Sequence, residues 1–263
     1  MSEATDEIKV ATQDPDRRPS IMIATPMYGG MCTGHYVQGL LQTVAKMREL
    51  GVSIFWAQLM NESLITRARN ELTRLFLEKG HDYLMFVDAD ISFDGMAVAQ
   101  LLAADVDIAC GIYPKKEVDW TKVKAAADAG KENLQDYGGA FVFNMVGNAH
   151  AETDEHGMIE VRHGGTGFML IKRRVFETLE PHVPTYRIAT FKGEDGEYVH
   201  PLTREFFATS IDQSGALLSE DYHFCELWRR YGGSIHANPF IKLEHVGTYV
   251  YGGDIIKSGG NLK

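Results

Sequence analysis

The chain has 263 residues, enough for one large α/β core or at most two small ones. Hydrophobic residues at 44% and charged residues at 24% are ordinary for a globular protein and exclude the disordered and fibrous classes. The formal net charge of −10, from 36 acidic and 26 basic side chains, excludes a surface that wraps nucleic acid, yet a nucleotide stays open because one divalent cation reverses the local sign.

Residues 1–19 are polar, with Asp6, Glu7, Asp14 and Asp16, and read as a flexible tail ahead of a single domain over 20–263. Ser20–Thr25 is a short apolar run closed by Pro26 and the Gly29-Gly30 pair: a buried strand, then a turn. Val37, Leu40, Leu41, Val44 and Met47 recur at helical spacing up to a stop at Gly51. Val52–Leu59 is a second strand. Asn61 is placed to cap a helix carrying Ile65, Ala68, Leu72, Leu75 and Phe76, which Gly80 ends. Tyr83–Val87 is a third strand, Asp94 caps a helix to Ala104, and Asp107–Tyr113 is a fourth strand. Helical crossovers of this length imply a parallel sheet, whose ligands gather beyond the carboxyl ends of its strands.

The second half is less regular. Lys115–Gln135 is charged and alanine-rich, a surface helix or excursion. Ala140–Val146 and Met158–His163 pair as a hairpin. Phe168–Ile171 is an apolar run leading into a helix through Leu179. Thr190–Gly215 has the length and glycines of a loop-rich lid or insertion. Ser219 opens a helix reaching Tyr231, and Ser234–Leu243 is a last strand. The expected fold is α/β, a central mostly parallel sheet flanked by helices with a smaller antiparallel element in the second half. The three cysteines, Cys32, Cys110 and Cys225, form no CxxC pair and argue for a reducing compartment. No apolar run approaches the roughly 20 residues of a membrane span, so a cytoplasmic protein without a transmembrane segment is expected.

Asp88-Ala89-Asp90 follows the third strand directly. Alternate residues of an extended chain face one side, so both carboxylates can meet one ligand, and hard oxygen donors suit Mg²⁺ or Mn²⁺ on a diphosphate. An isolated DxD is more often a pair of turn aspartates; its position after a continuous apolar strand is what raises it. His245 follows the last strand and can complete a metal shell, which would favour Mn²⁺ over Mg²⁺, or can simply hydrogen-bond a neighbour. Asp221 in Ser219-Glu220-Asp221 is either a general base or an ordinary first-turn acid complementing the helix dipole. Gly164–Gly167 suits close approach by a sugar or phosphate, or a tight turn, and has no GKS or GKT of a P-loop. Arg67 and Arg69 can pair with a diphosphate or with Asp88. Tyr28 and Tyr113 sit just past strands, placed to stack on a base or sugar, or merely to pack.

Together these residues resemble the GT-A glycosyltransferases, the family 2-like enzymes of bacteria, phages and large viruses in particular. The match runs from about Ile21 to Gly253: Ala24-Thr25-Pro26 after the first strand, Asp88-Ala89-Asp90 after the third, the Gly-rich loop before Phe168, Ser219-Glu220-Asp221, and His245. The resemblance implies a nucleotide-binding part over 20–113 and an acceptor-side part over 114–263. Thr25, Pro26, Tyr28 and Asn61 would lie near base and ribose, with Arg67, Arg69, Asp88, Ala89 and Asp90 completing the nucleotide-sugar site. Asp88, Asp90 and His245 would form the Mn²⁺ or Mg²⁺ site. Asp221 would be the base of an inverting hexosyl- or deoxyhexosyltransferase, and Gly165, Thr166, Gly167 and Glu220 would lie on the acceptor side. The implied partners are a nucleotide-sugar donor, UDP-linked, and a glycan or other hydroxyl acceptor. The acid that usually reads the base after the second strand is not evident, since Gln58 and Asn61 occupy that region. Two rival readings share the fold: a nucleotidyltransferase acting on sugar phosphates, against which Pro26–Thr33 contains no Lys or Arg, and a non-catalytic sugar-nucleotide-binding protein.

Overall fold

Strand alternation sets the layers. The computed structural model describes residues 18–147, 152–188, 191–192, 196, 198–199 and 201–249, so most of the expected tail lies outside the described residues. In chain order, β1 (Ser20–Met27) leads through α1 (Gly34–Glu49) to β2 (Ser53–Met60), and α2 (Ile65–Lys79) returns to β3 (Tyr83–Val87). Then come β4 (Ile91–Ser92), α3 (Ala97–Ala103), β5 (Ile108–Gly111), α4 (Trp120–Asp128), β6 (Phe143–Met145), β7 (Ile159–Gly164), β8 (Phe168–Lys172), α5 (Arg173–Leu179), α6 (Glu220–Arg230), β9 (Ile235–Asn238) and β10 (Glu244–His245).

The central sheet runs β2-β1-β3-β8-β5-β9-β7-β6. Six of its eight strands point one way; β7 and β8 oppose them. Ile21, Ile23, Tyr83, Met85, Val87, Phe168 and Leu170 enter one apolar layer with residues of α1 and α3. Their neighbours Met22, Ala24, Leu84, Phe86, Met169 and Ile171 enter the other, against α2, α5 and α6. The second layer holds a cluster of phenylalanines in which Phe176 meets Phe76, Phe206 and Phe224 at centroid distances of 5.7, 5.1 and 5.6 Å. Burying each such ring stabilises the fold by roughly 1.5–3 kcal/mol.

The mostly parallel sheet is as expected, with β8 inserted antiparallel between β3 and the strand at Ile108–Gly111; with its first four residues buried, β8 belongs at the centre. Other expectations are corrected. The α1 stripe is rotated. Tyr36, Gly39, Leu40, Thr43 and Met47 are buried, leaving Val37, Leu41 and Val44 exposed. A Cβ on Gly39 would lie 2.7 Å from the Phe93 carbonyl, so glycine brings this face close to the segment below. Asn61 is not a cap. It has a left-handed backbone (φ 61°), and Glu62 accepts the Leu64 N–H at 2.9 Å before α2 begins at Ile65.

Of Thr190–Gly215, residues 190, 193–195, 197 and 200 lie outside the described residues. The rest includes an anchor in the core. Phe206 and Phe207 are core residues, and the Asn70 side chain clamps Phe207, accepting its N–H at 2.9 Å and donating to its carbonyl at 3.0 Å. The expected hairpin of the second half forms as β6 paired antiparallel with β7. Among the described residues no helix is long and apolar enough to cross a membrane.

Candidate active site

The Asp88-Ala89-Asp90 turn is fixed by backbone hydrogen bonds before any side chain acts. Asp88 N–H extends the β3–β8 ladder to the Gly167 carbonyl (2.9 Å), Ile91 N–H closes the turn on the Asp88 carbonyl (3.1 Å), and Thr33 N–H binds the Ala89 carbonyl (2.9 Å). β10 then pairs antiparallel with β4, setting His245 opposite Ile91, and Val246 N–H bonds the Asp90 carbonyl at 2.8 Å. That short ladder brings His245 to Asp90 across the whole chain.

His245 Nδ1 lies 3.0 Å from the Pro114 carbonyl, which can only accept, so Nδ1 carries the proton. His245 Nε2 faces the Asp90 carboxylate at 3.5 Å. Burial pushes the Asp90 carboxyl up, but His245 and the Lys116 ammonium outweigh it and hold it down at about 2. Among the described residues no group of three or more His, Cys, Asp or Glu side chains converges on one ion position. Two protein donors nonetheless suit Mg²⁺ or Mn²⁺, which commonly bind through one or two side chains and complete their shell with water and substrate phosphates.

Asp90 and His245 line a cavity of about 550 Å³ at the carboxyl ends of β1 and β3, together with Pro26, Tyr28, Asp88 and Ala89. Its far wall is Met31, Cys32, Thr33, Glu62, Ser63 and Ile65. Tyr28 is exposed at 75%, leaving a ring face free beside the opening. Thr25 does not reach the cavity; it is buried, its hydroxyl bonded to Tyr36 and approached by Trp56 Nε1 at 3.3 Å. Asn61 is absent from the wall, whereas the next residue, Glu62, is part of it and receives two 2.6 Å hydrogen bonds from Arg67. An acid thus does stand just beyond the second strand.

Arg69 links the cavity to the second half. It is almost fully buried on α2, over the Phe86 ring at 5.2 Å. Nη2 donates to Asp88 Oδ1 at 3.0 Å and Nε to Glu220 Oε1 at 3.2 Å, while Nη1 has no partner among the described residues. Burial opposes the charge on Arg69, but Asp88 and Glu220 outweigh it and raise its pKa. Asp221 is buried beside Glu220 and does not line the cavity. Its Oδ1 accepts from the Ser219 hydroxyl and from Tyr222 N–H (2.8 Å). Burial, reinforced by the Glu220 charge, raises the Asp221 carboxyl above the usual range.

Gly165, Thr166 and Gly167 are buried rather than displayed on the cavity wall. Their small size answers a neighbour inside the protein. A Cβ on Gly165 would overlap the Tyr113 hydroxyl, and one on Gly167 would lie 2.7 Å from Tyr113 Cζ and 3.1 Å from Asp88 Oδ2. Tyr113 accepts the Gly167 N–H at 3.1 Å and meets His245 edge-on at 5.6 Å. Burial first, then the charges of Asp88 and Asp221, push its hydroxyl well up, so it stays protonated between the two carboxylates.

No family model and no curated protein matches the chain. Among solved structures it is similar to A197 from STIV, at 17% identity over 87% of this chain and 86% of that one, with a TM-score of 0.48. It is also similar to GalNAc-T7 solved with UDP, GalNAc and Mn²⁺, at 11% identity over 89% of this chain and 45% of that one (TM-score 0.41). A third likeness is the inositol-1-phosphate CTP transferase from T. maritima, at 11% identity over 87% of this chain and 89% of that one (TM-score 0.41). At these identities and scores, function has to be read from the chain's own residues.

Proposed function

We propose that this chain is a metal-dependent glycosyltransferase that moves a sugar from a nucleoside diphosphate, UDP foremost, to an acceptor hydroxyl with inversion at the anomeric carbon. One observation carries the reading: Asp90 and His245, with Nε2 3.5 Å from the carboxylate, converge on the wall of a cavity of about 550 Å³ beyond the β1 and β3 carboxyl ends. A divalent cation bound there would neutralise the charge that builds on the departing diphosphate.

The chain's own groups take the remaining roles. Pro26 and Tyr28 offer an apolar rim on which a base can stack, and Glu62, steadied by Arg67, offers acceptor oxygens to base N–H or ribose hydroxyl groups. Asp88, fixed by Arg69, accepts from a ribose hydroxyl or a metal-bound water. Asp221 takes the acceptor hydroxyl's proton as that oxygen attacks the anomeric carbon and the carbon–diphosphate bond breaks. Burial and Glu220 make its carboxylate a stronger base than a solvated aspartate.

The test is turnover of a panel of nucleotide sugars with Mn²⁺ and simple glycan acceptors. Release of the nucleoside diphosphate supports the reading. Pyrophosphate release from a nucleoside triphosphate and a sugar phosphate would point to nucleotidyl transfer, and binding without turnover to a non-catalytic protein. Asp90→Ala is expected to weaken Mn²⁺-dependent nucleotide binding by at least about 100-fold while leaving the unfolding transition in place.

A further inference from the structure

Asp90 already holds a cation. Lys116 Nζ forms an ion pair with Asp90 Oδ2, on the carboxylate whose other oxygen faces His245. This contact comes from the segment between β5 and α4, whose position is well defined. Pro114 bridges to Phe141, and Lys115 N–H bonds the Ala140 carbonyl at 2.7 Å. The Pro114 carbonyl, two residues before Lys116, is the acceptor that fixes the His245 ring. One short segment therefore orients the imidazole and covers the carboxylate.

The path of the lysine stem is also built into the chain. A Cβ on Gly247 would lie 2.9 Å from Lys116 Cδ and 3.4 Å from Cγ, so the bare backbone just after β10 gives the stem room to run towards Asp90. The Lys116 side chain is 42% exposed and the Asp90 side chain 34%, so the pair is open to solvent and weakly held. Lysine differs from the neighbouring Arg69 in this respect. A compact ammonium on a flexible stem can swing away, whereas the Arg69 fork is locked to two carboxylates.

We infer that Lys116 is a place-holding cation: its ammonium neutralises Asp90 until a divalent ion arrives with the nucleotide, and is then displaced from the carboxylate. This rests on the metal-dependent reading of the site and adds to it an order of events. Because the ammonium and the metal compete for Asp90, the chain binds free metal poorly and metal–nucleotide together well.

The experiment is Mn²⁺ titration of the full chain without nucleotide, followed by electron paramagnetic resonance, for the unmodified protein and for Lys116→Met, Gly247→Ala and Asp90→Ala. Lys116→Met should tighten Mn²⁺ binding about three- to fivefold, the range a half-exposed ion pair is worth. Gly247→Ala lifts the stem without removing the charge and should tighten it in the same direction by less. Lys116→Arg should remain at the unmodified level. If Asp90→Ala abolishes binding but Lys116→Met leaves it unchanged or weaker, the place-holding role is overturned while the metal site stands. If Asp90→Ala leaves Mn²⁺ binding unaltered, the metal reading fails, and the place-holder falls with it.

Discussion

The two sides of the site are held by different means. On the donor side the Asp88–Asp90 turn hangs on backbone hydrogen bonds with Gly167 just before β8, Ile91 of β4, Val246 just after β10 and Thr33 before α1, so its geometry follows from the sheets. On the other side Asp221 sits in the first turn of α6, tied to the sheet through side chains: Glu220 to Arg69, and Arg69 to Asp88. Backbone anchoring tolerates side-chain change. Side-chain anchoring concentrates the coupling in one buried guanidinium, and a substitution there should reach both sides at once.

The sharpest way to break this contrast is Arg69→Met. It leaves Asp88 and Glu220 without their shared counter-charge in a largely buried setting, and a loss of about 3–5 kcal/mol in urea unfolding is expected. A loss below about 1 kcal/mol would show that the two sides are not coupled through this residue. Next in size is Gly165→Ala, whose methyl would overlap the Tyr113 hydroxyl. A cost of about 1–3 kcal/mol is expected, partly recovered in a Tyr113→Leu background because the two sites share one space. Equal costs in both backgrounds would assign that glycine to something other than Tyr113.

Asp221→Asn should separate stability from activity. Because the folded carboxyl lies above its unfolded value, its stabilising contribution is full below the unfolded pKa and fades as pH rises through the folded one. At neutral pH the carboxylate is thus a net cost. The amide should raise Tm there, erase the gain at low pH and abolish transfer; an unchanged Tm across pH would contradict the buried-acid account. The smallest effect belongs to Glu220→Gln. Removing the neighbouring negative charge lowers the Asp221 pKa, so the acidic limb of the rate profile should move to lower pH. Movement to higher pH would remove Asp221 from the role of base.

The same division governs what could be read from the residues alone. β1, β3 and β8 are continuous apolar runs because both faces are buried, and α2 shows its stripe and its Gly80 stop plainly. The DxD turn stood out because it ends such a run. The insertion of β8 between β3 and β5 left no local trace, since strand order depends on long-range pairing. Glu62 was missed because Asn61 offered a plausible cap, while Lys116 was one charge in a charged segment. Phe206 and Phe207 were hidden in a stretch whose glycines resembled a lid, although two adjacent aromatics were a signal of burial there.

The most direct test of the central claim is a crystal of the full chain grown with Mn²⁺ and UDP, examined by anomalous scattering. The account predicts a manganese peak between the Asp90 carboxylate and His245 Nε2, with the diphosphate on its cavity side and Lys116 moved off Asp90. A nucleotide bound in the cavity with no manganese at Asp90, or manganese bound elsewhere with Lys116 still on Asp90, would contradict it.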